Sequence, residues 1–310
     1  MGNRSGGRGA VRSRVHGLLL AVPNVSEGVD AARVSRLGEA FATGVHLLDS
    51  HSDAVHNRSV FTLAGDPDAI GAALVAGARA SVEEIDMAAH DGVHPCVGAL
   101  DVCPVVWVSA RRQDEAERAA RALAGEIGKL GVPVFLYGAL ASSAERRERA
   151  FFRRGGLREL ARRMAAGELT PDEGPSQPHP RAGATLVTAR PPLAAFNVEL
   201  DSADLDAARE IAAELRESDG GLPGVRAIGL PRGSQRTQIS TNVHDPVAVP
   251  LARVIEHVRE LAAAFGSRPV AAELVGLVPE GALAGYPDDV PIAGFDPDRQ
   301  LIERRLAALI

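Results

Sequence analysis

The sequence is short of aromatic residues, which make up 4% of its 310 positions, and it has two cysteines, Cys96 and Cys103. Two thiols define no disulfide framework, so a reducing cytoplasm is the simpler expectation. No apolar run is long enough to span a membrane. Positive charge is not in excess: the formal net charge is −6, which argues against a general nucleic-acid surface. What remains is ordinary for a soluble globular protein of one large or two smaller domains, with 45% hydrophobic and 24% charged residues. The basic residues are dominated by arginine, and the helices must rest on small side chains and on leucine and valine ridges. The arginine-rich start leads into the apolar run 17–22, as a signal peptide would. Pro23 and Asn24 end that run too soon, and residues 1–15 are expected to be a disordered extension.

Hydrophobic periodicity predicts a strand over 17–22, a helix over 29–43 and strands over 45–50 and 59–64, separated by a polar turn at 51–58. A helix opened by Asp66 and Pro67 runs towards Ile85, and a strand follows from about Gly98 to Ser109. A helix over 114–131 and a strand over 132–137 are appended, with a further helix near 157–164. Residues 168–183 hold four prolines and form a long loop. The pattern then recurs: strand 193–200, helix 204–215, strands 225–230 and 237–242, helix 249–265, strand 270–276. Strand-helix-strand-strand-helix-strand is the ferredoxin-like arrangement, and it is found twice. The expected fold is α/β (α+β): two ferredoxin-like βαββαβ subdomains, residues 16–190 and 191–310, with sheets facing each other and helices outside.

Four polar stretches fall at strand ends or turns: 23–28, 49–58, 90–95 and 174–183. His90 and His94, four apart at the end of the second helix, allow three readings. Both could ligate a metal, although Gly92 and Pro95 oppose a continuous helix and no H-E-x-x-H pattern is present. His90 could cap the helix end. His94 could be a general acid/base, since histidine titrates nearest working pH. Cys96 is either a nucleophile or a buried inert thiol, and Cys103 belongs to the core. Arg58, Arg181, Arg190, Arg232 and Arg236 sit in loops or at strand starts, where an anionic substrate would need planar donors. Asn24, Asn57, Asn197 and Asn242 lie in or beside strands.

Taken together, VPNVSEG (22–28), HNRSVFTLAG (56–65), IDMAAHDGVHPCVGALDVCPVV (85–106), VPVFLYG (132–138) and RRGGLREL (153–160) form a specific combination. With GATLVTARPPLAAFNVEL (183–200), VRAIGL (225–230), QISTN (238–242) and ELVGLVP (273–279), it resembles the glutamate formimidoyltransferase family, the formiminotransferase part of formiminotransferase-cyclodeaminase. The resemblance covers nearly everything after residue 16. It implies two α/β subdomains and transfer of a formimidoyl group from N-formimidoyl-L-glutamate to N5 of tetrahydrofolate, a step of histidine breakdown.

The resemblance makes His94, in the H-P-x-x-G-A-L-D motif, the catalytic residue, and residues 174–183 a lining of the folate site: Gly174, Pro175, Ser176, Gln177, Pro178, His179, Pro180, Arg181, Ala182 and Gly183. Asn24, Ser26, Glu27, Asp53, Asn57, Arg58, His90, Gly98, Ala99, Asp101 and Asn197 are the remaining expected substrate contacts. Tetrahydrofolate is then a co-substrate, no metal is required, the partners are small molecules, and a homodimer is expected. The cyclodeaminase half of the bifunctional relatives is not expected here. The chain departs from the family at Cys96, where an arginine usually follows the catalytic H-P, and at His51, where the animal enzyme has an acidic residue that Asp53 could replace. A folate-dependent formyl transfer to or from glutamate, and a folate-binding protein without catalysis, are the competing functions.

Overall fold

The computed structural model describes residues 17–309, so the extension expected at 1–15 lies outside the described residues. Two compact units divide the chain between Pro191 and Pro192.

In the first unit, β1 (Leu19–Ala21) and β2 (Asn24–Val25) are two pieces of one central strand, interrupted at Val22 and Pro23. They are followed by α1 (Ala31–Phe41), β3 (His46–Asp53), β4 (Arg58–Gly65), α2 (Pro67–Glu84) and β5 (Leu100–Trp107). The sheet order is β3, β4, β1/β2, β5, with every neighbour antiparallel, as the ferredoxin-like pattern requires. Asp30 caps α1 through a 3.0 Å bond from the Arg33 N–H. Pro67 occupies the first turn of α2.

Beyond β5 the chain adds α3 (Gln113–Lys129), β6 (Val134–Leu136), the short α4 (Arg149–Arg153), α5 (Gly156–Ala165) and β7 (Thr185–Arg190). β7 runs parallel between β5 and β6. β7 is not among the strands that periodicity predicts. Its buried run, Thr185 to Ala189, abuts Pro191-Pro192 and the next strand, so the two strands read as one junction. The polar turn expected over 51–58 is also shorter, because β3 continues to Asp53. The third difference matters most. α2 ends at Glu84, and Ile85 is already extended. The Met87 N–H instead donates to the Arg181 carbonyl at 2.8 Å, a partner far along the chain. His90 and His94 therefore lie on irregular backbone, and neither the helix-cap reading of His90 nor a shared helical face for metal ligation survives.

Each face of this sheet has its own core. Leu37, Phe41, Phe61, Leu63, Leu74, Cys103, Val105 and Ile127 fill the side under α1–α3, which bears out Cys103 as core. Gly77 lets α2 approach α1 closely, since a Cβ there would stand 2.0 Å from the Phe41 ring. On the opposite side, α4 and α5 cover the β5–β7–β6 end through Val102, Phe135, Phe152, Leu160 and Leu186. Each such side chain contributes about 1.5–3 kcal/mol when fully buried.

The second unit holds β8 (Ala194–Leu200), α6 (Leu205–Leu215), β9 (Val225–Arg232), β10 (Arg236–Val243), α7 (Leu251–Ala263) and β11 (Pro269–Leu274). Its antiparallel order, β11-β8-β10-β9, is again ferredoxin-like. Asp204 caps α6 by accepting the Asp206 and Ala207 N–H groups, both at 3.0 Å. The chain closes with α8 (Pro297–Gln300) and α9 (Ile302–Ala307). The mixed α/β fold with two sheets is as the sequence predicts. Among the described residues, no helix is long and apolar enough to cross a membrane.

Candidate active site

The charge of the first unit gathers at a bulge in β5. Asn24 pairs with Val102 and Val25 with Leu100, so one step along β2 spans two along β5, and Asp101 is the extra residue. Bulges re-aim side chains and are common beside active sites. This one turns the Asp101 carboxylate to the side away from α1–α3. There Oδ2 accepts Arg58 Nη1 at 2.8 Å and a short bond from Arg153 Nη2, while Oδ1 accepts the Val97 N–H at 2.9 Å. Arg58 Nη2 continues to Asn24 Oδ1 at 2.9 Å, and the Asn24 amide donates to the Val22 carbonyl at 2.7 Å. Asp101 is 0% exposed. Burial alone would raise its pKa, but Arg153 and then Arg58 outweigh it and hold the carboxyl below its usual range. Burial lowers Arg58 in spite of Asp101.

The segment before β5 folds over the β3–β4 hairpin. Asn57, at φ +46°, clamps it: Oδ1 accepts the Gly28 N–H at 2.9 Å, and Nδ2 donates to the Asp91 carbonyl at 2.9 Å. Gly92 must be glycine here, because a Cβ would lie 2.5 Å from the His56 carbonyl oxygen. His94 Nδ1 stands 2.9 Å from the Pro95 carbonyl. A carbonyl can only accept, so Nδ1 carries the proton and Nε2 keeps its lone pair in the neutral ring. Burial, and then the charges of Arg58, Arg153, His56 and Arg149, push the His94 pKa well below the usual histidine range. His94 is thus a neutral base held among cations.

His56 packs against that base, with ring centroids 5.9 Å apart and planes at 76°. Behind it, Asp53 Oδ2 is 3.6 Å from His56 Nδ1, and Oδ1 accepts the Val55 and His56 N–H groups. His90 sits on the other flank, its Nδ1 3.4 Å from Asn57 Nδ2, and burial lowers its pKa. Cys96 is half-buried. Burial and the Asp101 charge push its thiol up, which disfavours a thiolate nucleophile.

Ser26, Gly98 and Ala99 form the backbone junction under this corner. The Ser26 hydroxyl donates to the Gly98 carbonyl at 2.7 Å, and the Ser26 N–H to the Ala99 carbonyl at 2.9 Å. Glu27 turns the other way. Its carboxylate accepts the Val29 and Asp30 N–H groups at the start of α1 and pairs with Arg33. Asn197 belongs to the second unit, where it donates to Glu273 at 3.2 Å.

Residues 174–183 join two places. Gly174, at φ +82°, packs against Gly128 and the Val132 carbonyl. Pro175, Ser176 and Gln177 are exposed. His179 Nδ1 accepts the Arg181 and Ala182 N–H groups, turning the chain back, and Pro180 lies on that turn. Gly183 then bridges to Gly98, and the Ala99 N–H donates to the Ala182 carbonyl at 2.9 Å. The structure therefore brings Ala182 and Gly183 to the corner that carries His94, while Gly174 sits at the end of α3.

His56, Arg153, Arg149 and Tyr137 were not among the expected site residues. Each lay inside or beside a stretch already singled out: HNR, RRGGLREL and VPVFLYG. Arg149 and Arg153 are one turn apart on α4, so they share a face. Burial raises the Tyr137 phenol against the pull of Arg149, Arg190 and Arg153. Burial pushes Arg190, at the end of β7, down to about 10. Among the described residues, no three His, Cys, Asp or Glu side chains are grouped as a metal ion would need.

Fold and site together define a two-unit α/β protein with a neutral histidine set among buried guanidiniums. Family models agree on what that is. The formiminotransferase domain, N-terminal subdomain, matches residues 18–190, and the formiminotransferase domain matches 195–286. The chain belongs to the formiminotransferase family. It is 37% identical to the glutamate formimidoyltransferase of Streptococcus pyogenes serotype M1 over 92% of this chain and 97% of that one. It is likewise 37% identical to the glutamate formimidoyltransferase of Thermoplasma acidophilum, over 93% and 97%. The formimidoyltransferase-cyclodeaminase of Sus scrofa is 38% identical over 86% of this chain, which spans 51% of that longer protein.

Proposed function

We propose that this protein transfers the formimidoyl group of N-formimidoyl-L-glutamate to N5 of tetrahydrofolate, releasing L-glutamate and 5-formimidoyltetrahydrofolate. The observation that carries the reading is His94: neutral, with Nδ1 tied to Pro95 and Nε2 left as the basic nitrogen. The donor carbon is an amidinium and already electrophilic. N5 attacks it and forms the new C–N bond, and His94 Nε2 takes the N5 proton. The same imidazolium then protonates the glutamate nitrogen, and the old C–N bond breaks. Such proton transfer is typically worth about 100- to 10,000-fold, and holding the two substrates together supplies much of the rest.

The cations suit the substrates, because both donor and folate carry glutamate carboxylates, and guanidinium is the planar partner for them. The residues from Gly174 to Gly183, with Asn24, Ser26, Asn57, Arg58, His90 and Asp101, make up the proposed substrate environment, with Asp101 holding Arg58 rather than touching the reacting atoms. The reading includes a homodimer acting in histidine breakdown. Mixing the purified protein with tetrahydrofolate and either formimidoylglutamate or formylglutamate, and following folate absorbance, tests it. An adduct from the formimidoyl donor is expected. An adduct from the formyl donor alone would reassign the reaction, and none from either donor would sink it.

A further inference from the structure

Asp101 is already engaged: its two oxygens take the Val97 N–H, Arg58 and Arg153, and among the described residues neither Arg149 nor Arg190 bonds it. Two more arginines act on the same neighbourhood. Arg149 feels the charges of Arg153, Arg58 and Asp101, and Arg190 feels that of Arg149. Among the described residues, Arg190 donates only to its neighbour's carbonyl, Pro191, at 2.9 Å. Among the described residues, Arg149 has no hydrogen-bond or ion-pair partner.

Tyr137 packs on the sheet face that α4 covers, with Phe135, Phe152 and Leu186. It follows β6 and holds the adjacent β7 through its backbone, its N–H donating to Val187 at 3.1 Å and its carbonyl accepting the Thr188 hydroxyl at 2.7 Å. The residue is 8% exposed, and among the described residues its phenol oxygen has no protein hydrogen-bond partner, which leaves it open to a ligand. α4 is fixed over this face by Phe152 against Phe135, with ring centroids 5.2 Å apart, so Arg149 is held by a packed helix and not by a free loop. Arg58 and Arg153 thus share Asp101, while among the described residues Arg149 and Arg190 have no carboxylate partner, and the Tyr137 hydroxyl is free to join them.

We infer that Arg149, Arg190 and the Tyr137 hydroxyl form a carboxylate subsite beside His94 that takes the glutamate portion of a substrate. The inference rests on the formimidoyl-transfer reading and deepens it. A carboxylate has two oxygens and four lone-pair sites, which a guanidinium fork plus a hydroxyl can fill. Burying it there would neutralise charge that the protein leaves uncompensated. Two molecules could supply it, the glutamyl donor or the glutamate tail of the folate, and either would bring its reactive end towards His94.

The test is calorimetric binding to the full chain and to its Arg149→Gln and Arg190→Gln variants. The probes are L-glutamate, 5-formyltetrahydrofolate and 5-formyltetrahydropteroate, which lacks glutamate. If the subsite holds the donor, L-glutamate weakens about tenfold or more in each variant while both folates bind as before. If it holds the folate tail, 5-formyltetrahydrofolate weakens to the level of the pteroate and L-glutamate is unchanged. Wild-type binding of all three probes by both variants overturns the inference.

Should either variant fail to fold, wild-type protein treated with phenylglyoxal gives the answer. Arg149 and Arg190 modified equally with and without saturating L-glutamate and 5-formyltetrahydrofolate overturns it, and protection of both supports it. The outcome separates from that of the parent reading. Loss of L-glutamate binding in the variants, from a wild type that makes no folate adduct, keeps the subsite and removes the reaction. Adduct formation by both variants at the wild-type KM for each substrate does the reverse.

Discussion

The two units set six elements in the same order, and both place polar side chains on the sheet face turned from their core helices. In the first, Asp101 is 0% exposed, and its arginines Arg58 and Arg153 have side chains only 9% and 10% exposed. In the second, Glu199 on β8 takes Arg232 at 3.1 Å and Arg236 at 3.0 Å, but those side chains are 29% and 52% exposed. One face buries its central ion pairs and sets further, half-buried cations around them. The other shares one carboxylate between arginines that water still reaches, with Glu273 on the adjacent strand beside Asn197. Topology alone does not make a site. A bulge, which places Asp101 out of alternation, and a helix brought from elsewhere in the chain make the difference.

The largest expected effect separates the faces by chemistry. His94→Ala should lower kcat by about 100- to 10,000-fold while folate binding, read by calorimetry, is retained. No charged residue of the second-unit face should match it: Glu199→Gln is expected to leave kcat within a fewfold of wild type in the same assay. If His94→Ala turns over normally, the first face loses its claim to the reaction.

Next comes stability. Asp101→Ala strands two buried guanidiniums and should cost about 3–5 kcal/mol. Glu199→Ala, between partners open to solvent, should cost at most about 1 kcal/mol. Urea unfolding of both variants at neutral pH reads the contrast directly, and equal costs would erase it. The acid side gives a related sign. Asp101 is depressed below its usual 3.8, so its contribution is present above that value and is lost as pH falls through the lower folded pKa. The pH-dependent loss seen in wild type at strongly acid pH should therefore shrink in Asp101→Asn.

Much of this contrast was hidden in the sequence. Both βαββαβ patterns were legible, because alternating and helical periodicities are local properties. His94 and Asp101 stood out within HPCVGALD. The bulge was not readable, since register depends on which residues of β2 and β5 meet. The end of α2 was missed for a similar reason: Met87 and Ala88 continue a helical look, and what stops the helix is a hydrogen bond to Arg181. Arg149 and Arg153 precede the helix expected near 157–164, and it is the packing of Phe152 on Phe135 that fixes α4 where Arg153 reaches Asp101.

The smallest effect concerns how the first face tunes its base. Burial, and then the cations around His94, favour the neutral ring, so the active form should persist as pH falls below 6.5, the usual histidine value, and be lost only well below it. The acid limb of kcat/KM, which reports the free protein, should therefore lie well under 6.5. His56 packs on the ring of His94. In His56→Gln, one like charge is gone, protonation of His94 becomes easier, and the limb should move up towards 6.5. Arg58, Arg153 and Arg149 remain, so the shift should be partial. A limb that stays in place would mean that burial and the arginines, without His56, set the base apart.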